Sequence, residues 1–193
     1  MQLKSLEDTQ NLSKKISKIV NKGDIIFLYG EIGVGKTTFA RFCINYLEGK
    51  TKSIAEKFSN NIKVGNVIFF KGELGVGKTT FIKYLINFLQ RKSKRSVTEI
   101  PSPTFNLVNE YQLDTVVIKH YDLYRVNDEK ELITLDIFED NSDQITLVEW
   151  PEIIKNYKTN NIIDLNFEYD EEYNKRFLTI SSNNKISFLD EFE

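Results

Sequence analysis

Two segments of this chain, Gly30-Glu31-Ile32-Gly33-Val34-Gly35-Lys36-Thr37 and Gly72-Glu73-Leu74-Gly75-Val76-Gly77-Lys78-Thr79, follow one pattern, G-x-x-x-x-G-K-T. Each stands between a short apolar run suited to a strand, Ile25–Tyr29 or Val67–Phe70, and a run with helical spacing. That context marks a phosphate-binding loop, or P-loop, rather than a chance glycine-rich turn. The glycines let successive backbone N–H groups turn inward as a cradle for phosphate oxygens. The helix that follows aims its positive end at the same anion. In such a loop the lysine puts a point charge on the β- and γ-phosphates, and the threonine hydroxyl ligates Mg²⁺. The chemistry implied is binding of a nucleoside triphosphate with Mg²⁺. The first-choice cradle is Gly72, Glu73, Leu74, Gly75, Val76, Gly77, Lys78, Thr79 and Thr80; the second is Gly30, Gly33, Gly35, Lys36 and Thr37.

The two loops belong to a repeat offset by 42 positions, Gly30 to Gly72, that runs without a gap well beyond them. Thr9 aligns with Thr51, Lys15 with Lys57, Ser17 with Ser59, Gly23 with Gly65, and Ile26-Phe27 with Ile68-Phe69. Past the loops, Thr38-Phe39 aligns with Thr80-Phe81, Ile44-Asn45 with Ile86-Asn87, and Leu47 with Leu89. The repeated unit reads as helix, strand, P-loop, helix. Two copies are too few for a solenoid, which needs three or more stacked units. The expected organisation is a duplicated half-domain over residues 1–48 and a complete P-loop domain over 49–193. In this reading residues 6–20 form a helix, Ile25–Tyr29 a strand and Thr37–Leu47 a helix. Gly49-Lys50-Thr51 is a short joint before a helix over Ser53–Ile62, the strand Val67–Phe70 and a helix over Thr79–Leu89.

The remainder alternates strands and short helices. Strands are expected over Thr104–Tyr111, Thr115–Leu123 and Gln144–Glu149, a short helix over Asp128–Phe138, and a closing hairpin of Ile162–Tyr169 with Arg176–Ser181 through a polar turn at Asp170–Lys175. The tail from Phe188 to Glu193 reads as frayed. The fold class is therefore α/β: a P-loop NTPase-like mixed sheet flanked by helices, with nucleotide at the carboxyl ends of the strands, plus the duplicated unit at the N-terminus. Composition agrees with a globular domain, since 40% of the 193 residues are hydrophobic and 28% charged. A formal net charge of −2 argues against a broad nucleic-acid-binding face. Cys43 is the only cysteine, which excludes an intramolecular disulfide and fits a reducing compartment as a small buried apolar residue. No run approaches the ~20 apolar residues a membrane span takes, so a cytoplasmic chain without a membrane partner is expected. The basic run Arg91–Arg95 reads either as a solvated helix end or as a contact for RNA or a protein.

Holding phosphates is not hydrolysis, which also needs a metal-linked carboxylate, a γ-phosphate sensor and a group that positions water. Pro101-Ser102-Pro103-Thr104 offers Thr104, a hydroxyl on a loop stiffened by two prolines; it reads equally as a strand-entry threonine. Asp122 ends one buried strand and Glu149 another, so both carboxylates could sit at adjacent strand tips. Which anchors metal and which activates water stays open. Trp150, the only tryptophan, reads as packing on nucleotide, on a partner, or under a loop. His120, the only histidine, leaves no histidine-based metal site and reads as a structural, hydrogen-bonding residue.

Taken together, the P-loop Gly72–Phe81, Ser102-Pro103-Thr104-Phe105, His120-x-Asp122-Leu123-Tyr124-Arg125 and Leu147-Val148-Glu149-Trp150-Pro151-Glu152 resemble the bacterial TsaE (YjeE) family in order and spacing, over about residues 50–181. The resemblance implies an ATPase that binds ATP and Mg²⁺ and is slow alone. It implies docking on a TsaD–TsaB pair in tRNA threonylcarbamoyladenosine modification, with tRNA engaged only indirectly. By motif, Lys78 and Thr79 would bind phosphate and Mg²⁺, Thr104 would be the switch threonine, Asp122 a metal-linked carboxylate, and Glu149 with Trp150 the pair at the catalytic strand. Metal ligands would come from Thr79, Asp122 and Glu149.

The family pattern has one P-loop, and this chain has two. Lys78 stands 24 positions before Ser102 and Lys36 stands 66 before it. That connectivity favours the second copy as the nucleotide site. A second function class is a nucleotide-gated binding module in which hydrolysis is incidental. A small-molecule kinase is the weaker third, because no arginine-rich lid follows the P-loop helix apart from the run Arg91–Arg95.

Overall fold

A computed structural model of the chain describes residues 3–20, 24–137, 142–154, 161–171 and 176–183. In chain order the elements are α1 (Leu6–Ser17), α2 (Lys36–Ser59), β1 (Val67–Lys71), α3 (Lys78–Lys92), β2 (Val108–Gln112), β3 (Val117–Asp122), α4 (Glu129–Ile133), β4 (Gln144–Glu149), β5 (Ile162–Tyr169) and β6 (Arg176–Ser182). One six-stranded sheet has the order β2-β3-β4-β1-β5-β6. The inner strands β3, β4, β1 and β5 are parallel, and β2 and β6 pair antiparallel at the two edges. This is the expected mixed α/β sheet with flanking helices.

β1 is the hub because both faces of it are covered. Ile68 and Phe70 join the layer under α2 and α3, with Phe58, Phe81, Ile82, Leu85 and Ile86. Val67 and Phe69 point the other way, toward Tyr121, Leu123, Leu132 and Val148. An all-apolar run is what a strand buried on both faces requires. α3 presents Phe81, Ile82, Leu85, Ile86 and Leu89 as one buried stripe, the pattern of a helix laid on a sheet.

Two expectations fail, both in the first copy. The run Ile25–Tyr29 forms no strand, and its side chains face solvent, with Ile25 77%, Phe27 70% and Tyr29 86% exposed, whereas Ile68 and Phe70 are fully buried. The reason is competition for one place. Only one strand fits between β4 and β5, and β1 occupies it. The repeat shows why the second copy is preferred. Phe39, Ile44 and Leu47 align with buried Phe81, Ile86 and Leu89, but Ala40 aligns with Ile82 and Cys43 with Leu85. Seating the first copy would leave two holes in the helix layer, besides the smaller Leu28 in the place of fully buried Phe70, and large-to-small changes in a core cost up to about 2–5 kcal/mol each.

The joint Gly49-Lys50-Thr51 is also absent as a break. α2 runs unbroken for 24 residues through it, so the helix after the first P-loop and the opening helix of the second copy are one. No proline interrupts residues 36–59. One mid-helix glycine costs only about 1 kcal/mol, which cooperative propagation overrides. The division at 48/49 therefore falls inside α2. At its N-terminal half α2 meets α1, where Ser17 Oγ donates to the Cys43 carbonyl at 3.2 Å. At its C-terminal half Ala55 and Phe58 pack into the α3 layer. Cys43 is buried, as expected.

The other elements sit where the sequence places them, with shorter ends. β2 begins at Val108 rather than Thr104, because residues 104–107 form a turn closed by the Leu107 N–H donating to the Pro103 carbonyl at 2.6 Å. α4 keeps five residues of the expected helix, opened by a capping box between Asp128 and Glu131. Phe138, most of the turn Asp170–Lys175 and the tail Phe188–Glu193 lie outside the described residues. Among the described residues no helix is long and apolar enough to cross a membrane.

Gly72 shows how tightly the second P-loop is built into the sheet. Its φ is +125°, and a Cβ there would stand 2.2 Å from the Phe167 carbonyl oxygen on β5. Its counterpart Gly30, φ +138°, would meet only a Val34 methyl at 3.0 Å. Both positions are strained for a side chain, but only one meets fixed backbone. We expect Gly72→Ala to lower the melting temperature by at least about 2 °C, taking a cost of about 1–3 kcal/mol or more and 2–4 °C per kcal/mol. Gly30→Ala should lower it by less than half as much. Thermal unfolding by circular dichroism checks this; the reverse order would contradict the placement of the second copy in the sheet.

Candidate active site

The carboxyl ends of β1, β3 and β4 bring the sequence-predicted site groups together. Parallel register sets Phe70, the last core residue before the P-loop, beside Glu149, and sets Glu149 beside Asp122. Strand pairing thus fixes both carboxylates at the level of the loop. The cleft has a volume of about 260 Å³, and Lys78, Thr79, Thr104, Asp122, Glu149 and Trp150 line it.

Glu149 is 2% exposed and bonded on both oxygens. Thr79 Oγ1 lies 2.9 Å from Oε1 and 2.8 Å from Oε2. His120 Nε2 lies 2.9 Å from Oε1. A carboxylate accepts, so the imidazole donates from Nε2, while its buried Nδ1 has no partner. The histidine read from sequence as structural therefore holds the carboxylate of the site.

Asp122 is 3% exposed and gathers the proline-flanked loop. Its Oδ2 accepts from Ser102 Oγ at 2.7 Å and Thr104 Oγ1 at 2.5 Å, and its Oδ1 accepts from the Tyr124 N–H at 3.1 Å. Thr104 thus faces the cleft rather than entering a strand. The two carboxylates have different companions: Glu149 bonds to the P-loop, Asp122 to the loop over it.

Lys78 donates to the carbonyls of Gly72 at 2.6 Å and Glu73 at 2.9 Å, bracing the loop across its mouth. Its ammonium lies 3.7 Å from the centroid of the Trp150 ring, a cation–π contact. Tyr124 also packs on Trp150, with 4.9 Å between ring centroids. Trp150 reaches this place from a left-handed backbone, φ +58° and ψ +54°, a conformation that costs of order 1–3 kcal/mol in a non-glycine residue. Burial lowers the Lys78 pKa from its ordinary 10.5; the carboxylates of Glu149, Glu152 and Asp122 act in the opposite sense. A further anion against Nζ would oppose the depression in the same way.

The first P-loop keeps its internal form without these neighbours. Gly30, Gly33 and Gly35 have positive φ like Gly72, Gly75 and Gly77. Lys36 donates to Gly30 and Glu31 carbonyls at 2.7 and 2.8 Å. Among the described residues no carboxylate bonds to Lys36 or Thr37. The structure does not bring the Gly30–Thr37 candidates to the strand tips.

Sequence reasoning passed over four contributors. Ser102 was visible in the motif, but the threonine beside it drew the inference. Tyr124 stood in the strand-end motif with nothing to mark it as a ring partner. Tyr169 Oη donates to the Gly75 carbonyl at 3.0 Å and Arg176 Nη1 to the Val76 carbonyl at 3.4 Å. These two brace the P-loop from the closing hairpin, a contact across some hundred residues that no local pattern carries.

The model of the family described as "Threonylcarbamoyl adenosine biosynthesis protein TsaE" matches this sequence twice, over residues 3–50 and 47–177. The chain belongs to the TsaE family. The protein named tRNA threonylcarbamoyladenosine biosynthesis protein TsaE in Rickettsia felis is 36% identical over 190 residues, covering 98% of this chain and 84% of that one. The protein of that name in Aquifex aeolicus is 42% identical over 150 residues, covering 78% and 74%. The crystal structure of Bacillus subtilis YdiB superposes with a TM-score of 0.54 at 22% identity, covering 75% of this chain and 86% of that one, which supports the fold. Proteins of the TsaE family take part in tRNA threonylcarbamoyladenosine biosynthesis.

The geometry separates the two loops by experiment. An ATPase reading of the second loop predicts that Lys78→Ala abolishes any ATP hydrolysis while Lys36→Ala leaves more than about half, since the first loop lacks the groups that would align water. Steady-state phosphate release from both variants reads this directly. A dead Lys36→Ala with an active Lys78→Ala would move the site to Gly30–Thr37.

Proposed function

We propose that the chain is an ATP-binding and ATP-hydrolysing subunit of tRNA threonylcarbamoyladenosine modification that acts on a TsaD–TsaB-like pair. The observation carrying this reading is the bifurcated hydrogen bond from the Thr79 hydroxyl to both Glu149 oxygens, next to a lysine braced across a glycine loop. The donors suit Mg²⁺: a hydroxyl and a carboxylate are hard oxygen ligands. Among the described residues no cluster of three or more histidine, cysteine, aspartate or glutamate side chains stands ready to hold a metal alone. Mg²⁺ favours such a site, taking one or two protein ligands and completing its shell with phosphate and water.

In this reading Thr79 and Glu149 hold the metal, and His120 fixes the Glu149 rotamer. When bound, Mg²⁺ neutralises charge on the β- and γ-phosphate oxygens. Lys78 leaves the loop carbonyls for the phosphates. Asp122 orients the attacking water, with Ser102 and Thr104 sensing the γ-phosphate through their hydroxyls. Beyond Gly77 a second cavity of about 450 Å³ lies between α2 and β6, lined by Lys50, Thr51, Ile54, Phe81, Phe167 and Arg176 among others. It has the size and mixed polarity for the base and ribose. A cytoplasmic location belongs to the same reading and suits the reduced Cys43.

Two measurements test the proposal. ATP–Mg²⁺ at about 100 times Kd should add roughly 2.7 kcal/mol of stability, a melting shift of about 5–10 °C at 2–4 °C per kcal/mol. No shift at millimolar ATP–Mg²⁺ would remove the nucleotide from the reading. The chain should also bind a TsaD–TsaB pair from its own source more tightly with ATP than without. The alternative, a nucleotide-gated module in which hydrolysis is incidental, is separated by Glu149→Gln. A hydrolytic role predicts a variant that docks but fails in multiple turnovers of tRNA modification; full multiple turnover would favour the module.

A further inference from the structure

We propose that residues 24–47 are an interchangeable substitute for residues 66–89, so that one sheet and one pair of carboxylates can be served by either P-loop. The argument starts from register. With an offset of 42 and no gap, Ile25, Ile26, Phe27 and Leu28 correspond to Val67, Ile68, Phe69 and Phe70. The second set pairs with β4 on one side and β5 on the other. The first set has the same apolar character and is left in solvent. An exposed run of strand-forming residues is a template looking for pairing, and the place that matches its pattern is in its own chain.

The loop that follows needs no remodelling. Its three glycines already have the left-handed backbone of the seated loop, and Lys36 already makes the same two bonds to loop carbonyls that Lys78 makes. After exchange, Thr37 would stand where Thr79 meets Glu149, and Lys36 where Lys78 meets Trp150. The helices also correspond. α1 lies on the N-terminal half of α2 as the C-terminal half of α2 lies on α3, with Ser17 at the position of Ser59 and Cys43 at that of Leu85.

What holds the second copy in place is equally specific: the side chains missing at Ala40 and Cys43, and the longer connection from Lys36 to Ser102. Those deficits keep the exchanged form to about 1% or less. Filling them should raise it. Cys43→Leu with Ala40→Ile restores the side chains found at Leu85 and Ile82 and also removes the only native thiol.

The test is a disulfide in the full-length chain. Phe69 registers with Val148, so in the exchanged form Phe27 would. Phe27→Cys with Val148→Cys is oxidised in two backgrounds, Ala40→Ile/Cys43→Leu and Cys43→Ser, and the linkage is mapped in the monomer fraction. Filling should raise the 27–148 linkage at least about tenfold, as two restored core side chains predict. A linkage no greater than in the Cys43→Ser background, or one found only between chains, would overturn the exchange. The nucleotide half rests on the ATP reading above and has its own readout. Lys78→Ala should lose the ATP–Mg²⁺ melting shift in the native background and regain it in the filled one. A filled Lys78→Ala that stays silent, while the filled chain with both lysines shifts, would overturn the proposal. If no variant shifts with ATP at all, the ATP reading is at fault and the disulfide alone decides the exchange.

Discussion

The site depends on one buried carboxylate. Glu149 ends the strand beside β1, and parallel pairing puts it level with the start of the P-loop. There it accepts bonds from Thr79 and His120. The three groups come from three separate elements, α3, β3 and β4, so the bonds tie the P-loop helix to the sheet at one point. A buried charge survives only where its bonds replace those it had to water. Removing one partner leaves a buried polar group short of a bond, at about 1–3 kcal/mol. The arrangement serves stability, and in the proposed function the same hydroxyl and carboxylate oxygens are the hard ligands that would hold the cation.

Around that point the structure is held away from its local minimum. Trp150 adopts a left-handed backbone to bring its ring under the Lys78 ammonium, and burial lowers the lysine pKa. The sign matters. A lysine whose folded pKa lies below its unfolded value opposes folding wherever it is charged in both states. That cost is relieved only as pH rises through the lowered pKa. At lower pH the remedy is a negative ligand rather than a lost proton. A partly desolvated cation is what an anion placed against Nζ would offset, as the proposed function requires of a nucleotide phosphate.

The sequence was legible where chemistry and connectivity are local. A glycine loop between a strand and a helix, carboxylates at the ends of apolar runs, and a hydroxyl between prolines led to Lys78, Thr79, Thr104, Asp122 and Glu149, and the fold gathers all five in one cleft. Strand pairing explains this success, because residues at equivalent ends of parallel strands must be neighbours. What was not legible depends on distant partners. Arg176 and Tyr169 brace the P-loop from the other end of the chain. His120 is the structural, hydrogen-bonding residue the sequence suggests, but its partner was not legible, because nothing in its own strand reveals the Glu149 carboxylate across the ladder. The strand assigned to Ile25–Tyr29 failed for a related reason. Periodicity tells what a segment would do if a place in a sheet were open to it, and says nothing about how many places there are.

That last failure is informative about how a repeated segment is tolerated. A strand–loop–helix unit without a sheet keeps only what it can satisfy internally. Here the first loop retains its glycine turns and the lysine bonds across its mouth, both local, and loses the strand, which is not. The helices fare better, because helix bonds are internal and a neighbouring helix suffices to cover an apolar face. Fusing the first P-loop helix to the opening helix of the second copy gives α2 two such neighbours, α1 at one end and α3 at the other. The repeat is therefore docked by its helices while its strand stays outside. Small residues at Ala40 and Cys43 suit that position, since Cys43 meets the serines of α1 where Leu85 meets the sheet layer. The side chains that fit the first copy to a helix neighbour are the ones that unfit it for the sheet, and this keeps the two copies from competing on equal terms.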